Sequence, residues 1–206
     1  MKRFENIERA EMEFEGKYDI PVLEPLEDIE SDIEFIPFNF VKSCKNRENY
    51  GVHFFIDDYQ FERLWEKPQR YCEMLQTCKC VFTPDFSMYV NVPRAIQIWK
   101  HYQKQWFGQY MQTFGIKVIP TLGWSDESSF DFCFDGIPKN NVVAVSSVGT
   151  QNNTKAKELF KKGFEKAVEI LQPTKIFFYG QINFFTNGLN IVHLPHSFDV
   201  KFKSIK

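Results

Sequence analysis

Residues 79–89 read Lys79-Cys80-Val81-Phe82-Thr83-Pro84-Asp85-Phe86-Ser87-Met88-Tyr89, KCVFTPDFSMY. A short β-branched and aromatic run stops abruptly at Pro84-Asp85, which is the pattern of a buried strand that ends in a polar turn. The same pattern recurs four times. Tyr50 to Ile56 stops at Asp57-Asp58. Ile116 to Pro120 stops in Thr121-Leu122-Gly123-Trp124-Ser125-Asp126. Val142 to Val145 stops in Ser146-Ser147-Val148-Gly149-Thr150, and Lys175 to Tyr179 stops in Gly180-Gln181.

Helical stretches fall between these runs. Tyr59 to Thr77 has helical spacing, and Pro68 predicts a kink or two short helices. From about Val92 to Phe114, the residues Ile96, Trp99, Tyr102, Trp106, Tyr110 and Phe114 step by three and four, which predicts one buried stripe. Pro93 suits the first turn, Asn91 the cap before it, and Gly115 the stop. Thr154 to Leu171 is amphipathic, with Leu159, Phe160, Phe164, Ala167, Val168 and Leu171 on its apolar side and Thr154 as an approximate cap. Strands that alternate with helices imply a parallel sheet with right-handed crossovers. The expected fold is therefore α/β, a mainly parallel sheet of about five strands with alternating helices. At 206 residues the chain is short of a full eightfold barrel of about 250 residues, so the sheet is open or partial and barrel-like.

Residues 1–37 read as an extended acidic N-terminal arm, because Pro21, Pro25 and Pro37 prevent a long helix and acids lie between them. Residues 38–206 read as a single α/β domain. Asn183 to Lys206 ends in the alternating Phe198-x-Val200-x-Phe202, which suits a terminal strand or a tail. The 23 Phe, 8 Tyr and 4 Trp favour a core filled with large rings. A net charge of −2 excludes a general nucleic-acid coater. No apolar run reaches 18 residues, so no membrane partner is expected, and the first residues lack the apolar core of a secretory signal. Five cysteines, an odd number, suit reduced thiols and a cytoplasmic location. Cys78-x-Cys80 is too tight for a zinc pair, and no metal ligand set is assigned.

In parallel α/β folds, ligands bind beyond the carboxyl ends of the strands. The polar strand ends are therefore the candidate site. Asp85 and Asp126 are the candidate catalytic acids, with Asp57 beside them. Clustered carboxylates of this kind hold Mg²⁺ or work as an acid/base pair; the alternative is that they are helix caps. Ser146, Ser147, Gly149 and Thr150 precede a helix and suit phosphate, or else form a tight turn. Phe86, Trp124 and Tyr179 offer rings for a base, and Ser87 lines the same rim. No P-loop, GxGxxG or Ser-His-Asp arrangement is present. Arg94, Gln97, Lys100, Lys104, Gln105 and Gln109 read as a solvated helix face, or as a grip on a nucleic-acid strand.

A set of these motifs resembles a known family. They are Pro84-Asp85-Phe86-Ser87-Met88-Tyr89, Pro93 with Gln97, Gly108-Gln109-Tyr110, Val118-Ile119-Pro120, Trp124-Ser125-Asp126, Ser129 to Pro138, Val143-Ala144-Val145-Ser146 with Gly149, and Tyr179-Gly180. Together they cover about residues 35–182 and are similar to the family catalogued as domain of unknown function 4417. The resemblance implies a phage or mobile-element setting, with the host cytoplasm as the location. It brings no catalytic residue or cofactor with it. Two readings follow. One is a protein that binds or acts on a phosphate-bearing, base-containing ligand, a nucleotide or nucleic-acid end. The other is a non-enzymatic protein that binds a host protein.

Overall fold

The computed structural model describes Asn6 and residues 13–26 and 28–195. It opens with a small antiparallel hairpin of β1 (Phe14–Glu15) and β2 (Ile20–Pro21). Every other strand pair is parallel. β3 (Phe35–Pro37) pairs with β4 (Gly51–His53), then β5 (Cys80–Phe82), then β6 (Val118–Ile119). β7 (Thr121–Leu122) pairs with β8 (Val142–Ser146), then β9 (Lys175–Tyr179), then β10 (Ile191–Leu194). The strands thus stand in chain order across two four-stranded sheets. All five strands expected from sequence are present. β3 lies inside the stretch read as the arm, and β10 lies in the stretch after Asn183. The Phe198-x-Val200-x-Phe202 alternation falls outside the described residues.

The two sheets share one chain segment, split at Pro120. Residues 119 and 121 face β5 and residue 120 faces β8, so the N–H that proline lacks is missing from the β8 side. The Thr83 N–H bonds to Ile119 O at 3.0 Å, and the Ala144 N–H bonds to Pro120 O at 2.9 Å. Past the proline, the Thr83 hydroxyl stands in for a strand partner: Oγ1 accepts the Thr121 N–H at 2.8 Å, and the Thr121 hydroxyl donates to Thr83 O at 2.9 Å.

Alternation along each strand separates two faces. Cys80, Phe82, Ile119, Val142, Ala144, Phe177 and Tyr179 point to one shared interior. Val52, Val81 and Val118 point to the first helical layer, and Leu122, Val143, Val145, Ile176 and Phe178 to the second. Rings fill the interior. Phe35 lies 4.6 Å from Phe82 and 5.2 Å from Phe177, so an edge strand meets the far sheet across the core. This curl makes the sheet pair barrel-like, as expected.

The outer layer comprises α1 (Phe38–Val41), α2 (Arg63–Glu66), α3 (Pro68–Leu75), α4 (Arg94–Gln112) and α5 (Thr154–Leu171). Pro68 opens α3, which divides the helical stretch as its sequence predicts. α4 corrects the expected stripe. Trp106 and Tyr110 are buried, but Ile96 is 44% exposed. The presumed solvated face is buried in part: Gln97, Lys104 and Gln105 are under 9% exposed, as is His101. Tertiary packing on both sides of the helix explains this. The sheet covers one side, and residues 20–24 cover another. Gln109 Nε2 donates to Val22 O at 2.6 Å, and Gln112 exchanges two 2.9 Å bonds with the Glu24 backbone. The cap of α4 is Pro93, and that of α5 is Asn153, whose Oδ1 accepts the Ala156 N–H at 2.9 Å, in place of Thr154.

α5 meets the second sheet through Gly163. A Cβ there would fall 2.1 Å from Trp124 Nε1. Alanine gains about 1 kcal/mol of helix propensity over glycine. Displacing a packed indole costs about 1–3 kcal/mol. Gly163→Ala should therefore lower the urea midpoint, by an amount that shrinks in a Trp124→Phe background. Equal losses in both backgrounds would count against the contact.

Candidate functional site

The sheets part beyond Thr83 and Thr121, and α4 closes the gap with polar side chains. Lys104 Nζ donates to Thr121 O at 2.9 Å from a side chain almost wholly enclosed. Asp85 Oδ1 lies near the same point: Lys104 Nζ and Asp85 Oδ1 stand 3.7 Å and 3.8 Å from where a Cβ on Gly123 would be. Asp85 itself is partly exposed, so the pair opens outward from the strand ends.

Burial disfavours both charges. The Asp85 carboxyl is pushed up to about 7, first by burial, with Lys104 opposing and Asp58 adding to the shift. Burial pulls the Lys104 ammonium down from its ordinary value, with Asp85 and then Cys133 opposing. Desolvation thus outweighs their attraction at both ends. A carboxyl near neutrality beside a buried amine is suited to proton transfer and to holding an anion.

Around this pair the rim is tied down. Asp58 accepts the Ser87 N–H at 3.2 Å, the Ser87 hydroxyl at 2.8 Å and Lys100 Nζ at 2.7 Å. Three elements therefore meet at one carboxylate: the loops after β4 and β5, and α4. Gln97 Nε2 donates to Val92 O at 2.9 Å and Tyr89 O at 3.2 Å, and its Oε1 accepts from Ser125 Oγ at 2.7 Å. On the next turn, His101 Nε2 lies 3.0 Å from Asp135 O, and burial holds its imidazole well below the usual range. His53, inside the barrel between Phe55 and Tyr179, is pushed down to about 3 by burial.

The other sequence-derived candidates are placed apart. Asp57 is exposed and makes no side-chain cap bond; its neighbour Asp58 makes the contacts. Phe86 packs edge-on against Phe61 at 5.2 Å. Asp126 caps the short 3-10 turn Glu127–Asp131, its Oδ1 accepting the Ser128 N–H at 3.0 Å. Trp124 lies against α5, with Nε1 donating to Leu159 O at 3.2 Å. Tyr179 is buried and stacks on Phe55 at 5.2 Å. The hydroxyls of Ser146, Ser147 and Thr150 are engaged by Val148 N–H, Gln181 O and Ser147 O respectively. Gly149 has φ +82, which fits the turn reading. The loop does not run directly into the helix, since Gln151, Asn152 and the cap Asn153 intervene.

Among the described residues, no group of three His, Cys, Asp or Glu side chains is gathered as a metal would require. Asp58 and Asp85, the carboxylates nearest the opening, already face the ammonium groups of Lys100 and Lys104. Among the described residues, no helix is long and apolar enough to cross a membrane. All five cysteines are free. Lys100 and Lys104 entered the sequence reading only as part of a helix face, and Asp58 only as half of a polar strand end; none was singled out as a site residue. Asp58 adjoins a chosen acid, and Gly108 four residues after Lys104 was the one sign that this side of α4 packs closely.

The family model described as Domain of unknown function (DUF4417) matches residues 12–192. The Gene 1 protein of Mycobacterium phage L5 is 36% identical over 174 residues, covering 84% of this chain and 76% of that protein. The Gene 1 protein of Mycobacterium phage D29 is 36% identical over 174 residues, covering 81% of this chain and 62% of that protein. No solved structure matches the chain. The motifs quoted from the sequence fall within the matched span, and the chain belongs to the DUF4417 family, whose relatives here are phage proteins.

Proposed function

We propose that this phage-type protein binds or acts on a phosphate-bearing, base-containing ligand, a nucleotide or nucleic-acid end, at Asp85 and Lys104. The observation that carries the reading is the enclosed Lys104 ammonium beside a carboxyl near neutrality. Once Asp85 takes a proton, Lys104 has lost its nearest counter-charge, and an anionic group from a ligand restores it. Lys100 stands close by, held by Asp58. Tyr59 and Tyr89, both exposed on loops joined through Asp58 and Ser87, supply faces for a base. The role of Asp85 is proton donor and acceptor, and that of Lys104 is to hold the anion. This reading moves the phosphate contact from Ser146–Thr150 to Lys104, because the hydroxyls of that loop are engaged by its own backbone and by Gln181 O of the loop after β9.

A second reading, binding to a host protein, rests on the distribution of exposed apolar side chains. Tyr59, Tyr89, Val90 and Val148 follow the ends of β4, β5 and β8, and Ile96 lies in the first turn of α4; of the other exposed large apolar side chains among the described residues, Phe185 lies between β9 and β10 and Phe14 in the hairpin. Apolar side chains concentrated on one rim suit a protein interface.

The two readings separate experimentally. A thermal-shift panel of nucleotides and short oligonucleotides should yield a ligand that stabilises the protein. Its Kd should tighten as pH falls from 8 to 6, because ionised Asp85 repels an anion and protonated Asp85 does not. Asp85→Asn should bind with a flat pH profile, and Lys104→Met should lose about tenfold or more in affinity. A panel that shifts nothing sinks the ligand reading.

For the host-protein reading, the double variant Ile96→Ser, Val148→Ser should weaken co-purification of one stoichiometric host protein. The same variant should leave nucleotide affinity unchanged. Undiminished co-purification would argue against the rim.

A further inference from the structure

Four buried side-chain atoms have no hydrogen-bonding partner among the described residues: His101 Nδ1, Gln105 Oε1, Gln109 Oε1 and Asp135 Oδ2. All four belong to one seam, where α4 and the Asp135–Gly136 turn meet the β1–β2 hairpin and the chain after it. All four are acceptors. The Nε2 of His101 faces Asp135 O, so its Nδ1 is a bare lone pair. Gln105 and Gln109 turn their amide nitrogens to Asp135 O at 3.4 Å and Val22 O at 2.6 Å, which leaves their oxygens facing elsewhere. A seam of unanswered acceptors is costly and gains from any added proton.

The hairpin presses a carboxylate into this seam. Gly16, at φ +72, sits so close to Asp135 that a Cβ would lie 2.0 Å from Oδ2. The next residue back, Glu15, accepts the Gly136 N–H at 2.7 Å, setting a second carboxylate beside the first. Lys17 donates to Asp131 at 2.9 Å, and Arg94 of α4 holds the same carboxylate. Among side chains, Ile20 and Leu23 are the buried apolar anchors of this segment.

We propose that residues 14–24 form a proton-linked strap over α4, fastened when Asp135 carries a proton and loosened when it ionises. This goes beyond the Asp85–Lys104 reading and does not depend on it. The charged and titratable groups around Asp135 are Glu15 and Lys17 from the hairpin, with Tyr18 bonded to Lys17 and Arg94; Asp131 and the Cys133 thiol from its own turn, with Arg94 behind; and a neutral His101 from α4. Burial raises the Asp135 carboxyl to about 6, with Glu15 and Asp131 adding and Lys17 opposing. Releasing the hairpin removes much of that burial and the Glu15 charge, so the carboxyl returns toward its ordinary value. The closed strap therefore holds the proton more tightly than the open one. Closure is strongest below about pH 4, weakens as pH rises through about 6, and is level above that.

Hydrogen exchange on the full chain tests this at the Val22, Leu23 and Gly136 amides, which bond to Glu13 O, Gly136 O and Glu15. Corrected for intrinsic rates, their protection should fall about tenfold to a hundredfold between pH 4.5 and pH 7.5, while amides of β8 and β9 hold steady. Asp135→Asn should stay protected at both values. Gly16→Ala, whose added methyl meets the carboxylate, should be exposed at both. A wild-type strap with level protection, or an Asp135→Asn variant that keeps the pH dependence, would overturn the proposal, as would undiminished protection in Gly16→Ala.

Discussion

One strand's ladder breaks at the centre of this molecule. Residues 118–122 bond to β5 through residues 119 and 121 and to β8 through the Pro120 carbonyl, and on the β5 side the backbone ladder stops after Thr83, where that chain turns away at Pro84. Two threonines bridge the break with side-chain bonds that replace backbone ones. The replacement leaves the Thr121 carbonyl available, and an ammonium from α4 takes it. A buried lysine is among the most expensive groups a core can hold. Its presence here follows from the break, since an unbroken parallel ladder would have engaged that carbonyl with a neighbouring strand.

α4 is the second consequence. A helix packed only on a sheet needs one apolar stripe. This one is covered on further sides, by the chain before β3 and by the turn at Asp135, so its polar residues are buried as well. Each buried polar group is matched to a backbone carbonyl where one exists: Lys104 to Thr121, His101 to Asp135, Gln109 to Val22. The helix thereby orients three regions: the strand ends at Asp85, the Asp135 turn and the N-terminal chain that packs against that turn.

The sheet was legible because its strands are apolar runs covered on both faces, which no alternation of polar residues disguises. β3 was harder to see. It is three residues long and ends in Pro37, within a proline-spaced acidic stretch that reads as extended chain either way. The position of the site at the strand ends follows from the fold class. Its membership does not, because which polar group is spent depends on partners far along the chain. Trp124 looked like a stacking surface, but α5 presents Gly163 to it and takes the ring into the packing. Asp126 looked like an acid for catalysis and serves its own turn. Lys104 looked solvated because helical lysines usually are. Asp85 alone among the chosen acids lies where burial and a neighbouring cation act on it together.

The bonds that hold the N-terminal chain reach far forward. Glu24 is tied to Gln112, 88 residues later; Leu26 to Asn141, 115 later; and Lys175 to Asp28, across 147. Contacts this distant are the slowest to form, since loop closure must precede any gain. On the ribosome, the segment is made before each of the elements it attaches to and must wait for them. Its attachment to α4 requires residue 112 to have emerged, and its attachment to β9 nearly the whole chain. The prolines and acids spaced through it keep it extended and soluble meanwhile, so the composition that read as an extended acidic arm also suits a part that is made before its partners and fitted last.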